Sequence, residues 1–217
     1  MLVSVMKTGI LLELKIYNGG GDIMTVKEAI RARRTIRKYK QERIPLEVLK
    51  ELVDGARLAP SAANRQPLEY LIVEDPSLLE PVFSTLGWAG YIKPHGTPKE
   101  GERPTAYIVV LINRELDSAW AKHDVGAAVE NILLGAQEYG IGCCWIGSVD
   151  RDRLREILQI PEKYIIDCIV ALGYAAEKSV VEDEQGSIKY YKDENGVLHV
   201  PKRRLEDIMH VNRINSQ

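Results

Sequence analysis

Residues 118 to 140 carry Trp120, Val125, Ala128, Val129, Ile132, Leu133 and Ala136 around so much of a helical circumference that little of it stays polar. A helix that is apolar on most sides must be buried on most sides, and this condition limits the folds open to the chain. Two arrangements satisfy it. The helix either forms a subunit interface, where Gly126, Ala127, Gly135 and Ala136 permit close approach, or it runs through the core of the chain itself. With 217 residues, 45% of them apolar, the chain can bury a real core, and it fits one domain better than two.

Strands are expected on either side of this helix. Tyr107 to Ile112 is a near-continuous apolar run, as expected when both faces of a strand are covered. Leu71–Val73, Cys143–Ile146 and Ile165–Leu172 supply three more. Helices are expected from the capping-box form Thr25-Val26-Lys27-Glu28, from Pro45 at a first helical position until Pro60 ends the element, over 76–86, and after Asp150 as a cap. Residues 2–16 could form a hairpin around Lys7-Thr8-Gly9, set apart by the break Asn18–Asp22, and Met24 is a plausible second start. Residues 1–22 therefore read as an extension to one domain over 23–217. Within that domain, the highly charged stretch 179–200, with a hairpin turn at Asn195-Gly196, is expected to project from the body. Residues 87–104, around Trp88 and Tyr91, form a loop long enough to be a lid over a pocket or a disordered segment.

The formal charge of -2 argues against nucleic acid as the main partner, because such a protein would carry a basic excess. No apolar run reaches the ~18 residues of a membrane helix, and Glu13 and Lys15 interrupt any signal-peptide shape, so a cytoplasmic protein is expected. Cys143, Cys144 and Cys168 are an odd count, and the adjacent pair would point to opposite faces of a strand, so buried reduced thiols are expected in place of disulfides. The four histidines lack zinc-type spacing to one another or to the cysteines, and no metal is expected.

Positive charge is nonetheless concentrated locally. Arg31, Arg33, Arg34, Arg37 and Lys38 surround Thr35 at the end of the first helix, a cluster able to place several planar donors on one phosphate. Read alone, it fits a solvated basic face better than a site. Pro60-Ser61-Ala62-Ala63-Asn64-Arg65-Gln66-Pro67 is too polar for a core and too patterned for a linker, which predicts a rigid loop lined with hydrogen-bonding groups. At Gly147-Ser148 a strand gives way to a turn and a helix start, exposing backbone N–H groups suited to a polar ring or an anion. Lys202-Arg203-Arg204 forms a second basic cluster.

Taken in this order, the stretches resemble the nitroreductase family of flavin enzymes. The residues that carry the resemblance are Arg33-Arg34-Thr35-Ile36-Arg37, the Pro60–Pro67 loop, Tyr139–Gly147 and Lys202-Arg203-Arg204, spread through residues 25–210. Leu68 stands where the family commonly has Trp. The resemblance implies an α+β fold with a central mixed β-sheet flanked by helices, and an intertwined homodimer holding FMN at its interface. It implies that Arg33, Arg34 and Thr35 hold the phosphate and ribityl end, with Lys202 and Arg204 closing on the phosphate and Arg37 beside the pyrimidine edge. Pro60, Ser61, Ala62 and Asn64 would come from the other subunit, and Trp145, Ile146, Gly147 and Ser148 would pass the ring. Trp88 and Tyr91 would border the substrate. The implied activity is an NADH- or NADPH-driven reduction of a small organic acceptor. Reductive dehalogenation on the same scaffold and FMN storage without turnover are the alternatives. A nicotinamide would be a visiting substrate, since no Gly-x-Gly-x-x-Gly fingerprint is found.

Overall fold

The computed structural model describes residues 24–92 and 96–214. Helix α1 (Val26–Ala32) opens with a complete capping box between Thr25 and Glu28. It is followed by α2 (Leu46–Arg57), β1 (Leu68–Val73), α3 (Pro76–Phe83), β2 (Ala106–Asn113) and the long α4 (Ala121–Glu138). The remaining elements are β3 (Ile141–Ile146), α5 (Arg151–Leu158), β4 (Tyr164–Tyr174) and three short strands, β5 (Ser179–Asp183), β6 (Tyr191–Lys192) and β7 (Leu198–Lys202). Pro45 lies one position outside α2, as its N-cap, and Asp150 caps α5 by accepting from the Arg153 N–H. The expected hairpin of residues 2–16 lies outside the described residues.

The main sheet has the order β1-β2-β4-β3, and its strands pair antiparallel. Every residue of β2 is buried, because the strand is covered on both faces. Ala106, Ile108, Val110 and Ile112 pack with α2 and α4 on one side, and Tyr107, Val109 and Leu111 with α3 and α5 on the other. Side-chain alternation along a strand sends neighbours to opposite layers. Cys143 accordingly joins the first cluster and Cys144 the second, and all three cysteines are free and buried. Burial lifts the Cys143 and Cys168 thiols well above their usual range and Cys144 to about 11, so none is a thiolate nucleophile near neutral pH.

Helix α4 fills the internal role that its sequence allowed. Its Val125, Val129, Ile132, Leu133 and Ala136 are taken up by α2 and the sheet, and a Cβ on Gly135 would come within 3.3 Å of Leu52 Cδ2. Among the described residues, no helix is long and apolar enough to cross a membrane.

The three strands of the charged excursion form a second sheet, order β5-β7-β6. The turn at Asn195-Gly196 does form, with Gly196 at φ +75°. Glu177 links this sheet to the segment after α1, accepting from the Arg37 and Lys38 N–H groups and from Lys192 Nζ at 2.8 Å. Part of the 87–104 loop is likewise packed down. Trp88 is 5% exposed and stacks on Phe83, and Lys38 pairs with Glu102 at 2.9 Å.

Candidate functional site

Residues 33–40 leave α1 in an extended conformation and lie along the edge of the main sheet. Thr35 bridges Cys143 in parallel, the Ile36 N–H donates to the Cys143 carbonyl at 2.9 Å, and the Lys40 N–H donates to the Tyr174 carbonyl at 2.8 Å. Two glycines make this close approach possible. A Cβ on Gly142 would sit 2.8 Å from Ile36, and one on Gly173 would sit 2.8 Å from the Tyr39 side chain, so any larger residue would push the segment off. Ile36 and Tyr39 point inward, and Tyr39 Oη donates to the Ile36 carbonyl at 2.6 Å. The arginines on the same stretch stay half-buried.

Three arginines thus project from one short segment. Arg33 Nε lies 3.4 Å from Glu130 on α4, and Arg34 Nη2 donates to the Ile30 carbonyl at 3.3 Å. Burial, followed by the Arg33 charge, lowers the Arg34 pKa, with Glu130 opposing. Arg37 lies next to Cys144, and its charge opposes the burial that raises that thiol. The Tyr190 ring stands 5.2 Å from Arg37 Cζ, a cation–π contact. Arg34 Nε and Arg37 Nε are buried with no partner. A buried unsatisfied donor costs about 1–3 kcal/mol, more when charged, so two such donors on one short strip suit an acceptor-bearing anionic group.

The strip continues into the end of β3. Trp145 is 44% exposed, Ile146 is buried, and Gly147 and Ser148 are exposed. Their backbone is pinned: the Ser148 carbonyl accepts from the Gly87 N–H at 2.8 Å, and Arg151 donates to the Gly147 and Asp167 carbonyls. Residues 33–37 and 145–148 therefore share one edge of the fold.

The Pro60–Pro67 loop takes a backbone shape that its sequence only partly shows. Ala63, Asn64 and Gln66 adopt φ of +50°, +53° and +50°. Left-handed backbone costs a non-glycine residue about 1–2 kcal/mol, so the surroundings must hold it. The Ala62 N–H donates to Asp124 Oδ1 at 3.0 Å, and the Gln66 N–H to Ser61 Oγ at 3.1 Å. A cavity of about 150 Å³ lies behind the loop, lined by Pro60, Ser61, Gln66, Tyr70 and Asp124.

Not every expected residue joins the strip. Asp124 and Glu130 are six residues apart on α4, which is about 9 Å of rise and about 240° of rotation. The loop and Arg33 thus attach to different sides of that helix. Among the described residues, no hydrogen bond or ion pair joins residues 33–37 to the Pro60–Pro67 loop, to Lys202 or to Arg204. Lys202 and Arg204 are exposed at the end of the second sheet. Trp88 belongs to the core, whereas Tyr91 is 60% exposed, with its ring 5.0 Å from Tyr190. Sequence reasoning overlooked Glu177, Tyr190 and Asp124. Only Asp124 left a signal, as one of the few acids in a largely apolar helix.

A three-layer α+β domain with a cationic strip along its sheet edge defines the general class. The nitroreductase family model matches residues 30–174. The chain belongs to the nitroreductase family. A protein of Archaeoglobus fulgidus with the provisional name NADH dehydrogenase/NAD(P)H nitroreductase is 34% identical over 157 residues, 69% of this chain and 84% of that one. A Haliscomenobacter hydrossis protein named iodotyrosine deiodinase is 27% identical over 180 residues, 70% of this chain and 80% of that one. Among solved structures, an FMN-dependent nitroreductase from Clostridium difficile R20291 is similar at TM-score 0.60 and 26% identity, covering 86% of this chain and 98% of that one.

Proposed function

We propose that the protein is an FMN-dependent oxidoreductase that takes hydride from NADH or NADPH and reduces a small organic acceptor of nitroaromatic, quinone or flavin type. Donor and acceptor use the same place in turn, and the active unit is a homodimer in the cytoplasm with FMN at the subunit interface. Residues 23–217 act as its single domain. The observation that carries this reading is the pair of buried Nε atoms of Arg34 and Arg37 without a hydrogen-bond partner, on the segment that lies beside β3. Such donors fit a cofactor with a phosphate and a ring rich in acceptors.

FMN, when bound, supplies the hydride and electron chemistry. The residues of the chain bind and tune it. Arg33, Arg34 and Thr35 hold the phosphate and ribityl end, and Lys202 and Arg204 add charge at the phosphate. Arg37 places a fixed cation beside the pyrimidine edge, where it stabilises negative charge. Trp145, Ile146, Gly147 and Ser148 border the ring with a pinned backbone. Pro60, Ser61, Ala62 and Asn64 reach it from the other copy, which accounts for their separation from the strip within one chain.

The experiment is a visible spectrum of the protein with FMN, before and after NADH or NADPH is added without oxygen. Bound flavin that bleaches supports the reductase. Bound flavin that stays yellow supports a binding role, and no bound flavin overturns the reading. Arg33→Ala or Arg204→Ala should weaken FMN binding by about 1–3 kcal/mol, the worth of a charge-assisted hydrogen bond. Unchanged affinity in both would remove the shared phosphate site. The likeness to a protein named iodotyrosine deiodinase favours a second reading, reductive dehalogenation, for which halide release from a halogenated phenol is the measurement.

A further inference from the structure

Asp124 stands out as a buried acid whose second oxygen has no partner in the chain. It occupies the first turn of α4, is 5% exposed, and lines the cavity behind the Pro60–Pro67 loop. One carboxyl oxygen accepts from the Ala62 N–H at 3.0 Å, and the other, Oδ2, is buried without a partner. The contact falls at the start of the turn that contains the left-handed residues Ala63, Asn64 and Gln66. The remaining bonds in this stretch come from within it: Asn64 N–H to the Ser61 carbonyl at 2.9 Å, Arg65 N–H to the Ala62 carbonyl at 3.2 Å, Gln66 N–H to Ser61 Oγ, and Gln66 Nε2 to the Asn64 carbonyl at 3.3 Å. Bonds internal to a loop hold its shape without fixing where that shape sits. Asp124 ties it to a helix embedded in the core.

We propose that Asp124 is the positioning residue of the Ser61–Gln66 turn, fixing the place at which Ser61, Ala62 and Asn64 meet the flavin of the facing subunit. This rests on the function proposed above. Asp124 acts through the Ala62 N–H and does not itself touch the cofactor. The acceptor oxygen is what matters, so an amide at this position serves and a methyl does not.

The test compares Asp124→Ala and Asp124→Asn with the unaltered full-length protein. Without FMN, hydrogen exchange at the Ala62 amide should speed up about tenfold in Asp124→Ala, the equivalent of one hydrogen bond, and stay near the original rate in Asp124→Asn. With FMN, Asp124→Ala should bind about tenfold more weakly, and the visible circular dichroism of the bound flavin should change. Asp124→Asn should restore both. A purely structural role would lower the melting temperature and leave the flavin dichroism of the folded fraction unchanged. If Asp124→Ala does not fold, Asp124→Leu keeps the branched shape of the side chain but has no acceptor, and should reproduce the exchange and dichroism effects. Unaltered exchange at Ala62, unaltered FMN affinity, or an Asn variant as impaired as Ala would each overturn the proposal. Failure of the unaltered protein to bind FMN would instead overturn the proposed function, and with it the presentation of the turn to a flavin. The exchange comparison would still decide whether Asp124 holds the turn.

Discussion

The four-stranded sheet and the three-stranded sheet are held by different kinds of contact. In the first, β2 and most of β4 are sealed between two helical layers, and the stabilising term is apolar burial. In the second, Leu198 and Pro201 are the buried residues, and the strands are joined by polar side chains. His199 on β7 contacts Glu182 on β5 at 2.8 Å and Asp193 in the β6–β7 turn at 3.5 Å, and stacks on Tyr191 with ring centroids 4.9 Å apart. Tyr191 Oη donates to Glu182 at 3.0 Å. Burial tolerates changes of pH and resists loosening, whereas a polar clasp depends on the charge state of its members. The second sheet also carries Tyr190 to Arg37, so its hold on the body bears on the cationic strip.

The largest effect should come from the main core. Leu172 is 0% exposed, and Leu172→Ala should lower global stability by about 2–5 kcal/mol in denaturant unfolding, as cavity-forming changes do. A loss below 1 kcal/mol would mean that the layers are less tightly packed than described.

A smaller and local effect should follow Glu177→Ala. Its side chain is 5% exposed and satisfies two backbone N–H groups and Lys192. Removing it should cost about 1–3 kcal/mol, read as faster hydrogen exchange at Arg37, Lys38 and residues 179–202. Exchange that rises equally throughout the main sheet would break the distinction between the two sheets.

The smallest effect should be the response of the clasp to pH. The hydrogen bond to Glu182, opposed by burial and helped by Asp193, raises the His199 pKa above its ordinary 6.5. A raised histidine contributes stability that is fully present below about 6.5 and is lost as pH rises through the folded value. The His199 hydrogen bond lowers the Glu182 pKa from 4.5. For Asp193 burial acts upward, but the Val197 N–H and His199 bring it net below 3.8. Their contribution is present above those ordinary values and is lost as pH falls through the lowered ones. The second sheet should therefore be firmest between about pH 4.5 and 6.5 and loosen on the alkaline side. Amide exchange in β5 and β7, corrected for intrinsic rate, should show this. His199→Gln should flatten the alkaline side of the profile, and an unchanged profile would exclude His199 as its source.

Much of this was legible from the sequence, for identifiable reasons. The Thr25–Glu28 box, the Asp150 cap, the all-buried β2 and the opposed Cys143 and Cys144 depend on neighbours within a few residues, where spacing and direction are linked by backbone geometry. The Arg33–Arg37 cluster and the Pro60–Pro67 loop were visible because their composition is unlike either core or linker. Trp88 was expected at a pocket wall as an aromatic in a polar loop, and its stacking on Phe83 in the core was not visible in the sequence. The partners of the charges in the excursion, Glu177 for Lys192 and Glu182 for His199, were not legible from spacing.

The sequence by itself determined the elements, the local caps and the kinds of chemistry present, since each follows from short-range geometry and side-chain type. Only the tertiary structure decided which of them meet. Thr35 finds Cys143, Arg37 finds Glu177 and Tyr190, and Ala62 finds Asp124 across separations of 62 to 153 residues. No spacing rule reaches so far. These meetings are set by which apolar faces are buried together and by two glycines, Gly142 and Gly173, that leave room for a strand to lie against the sheet edge.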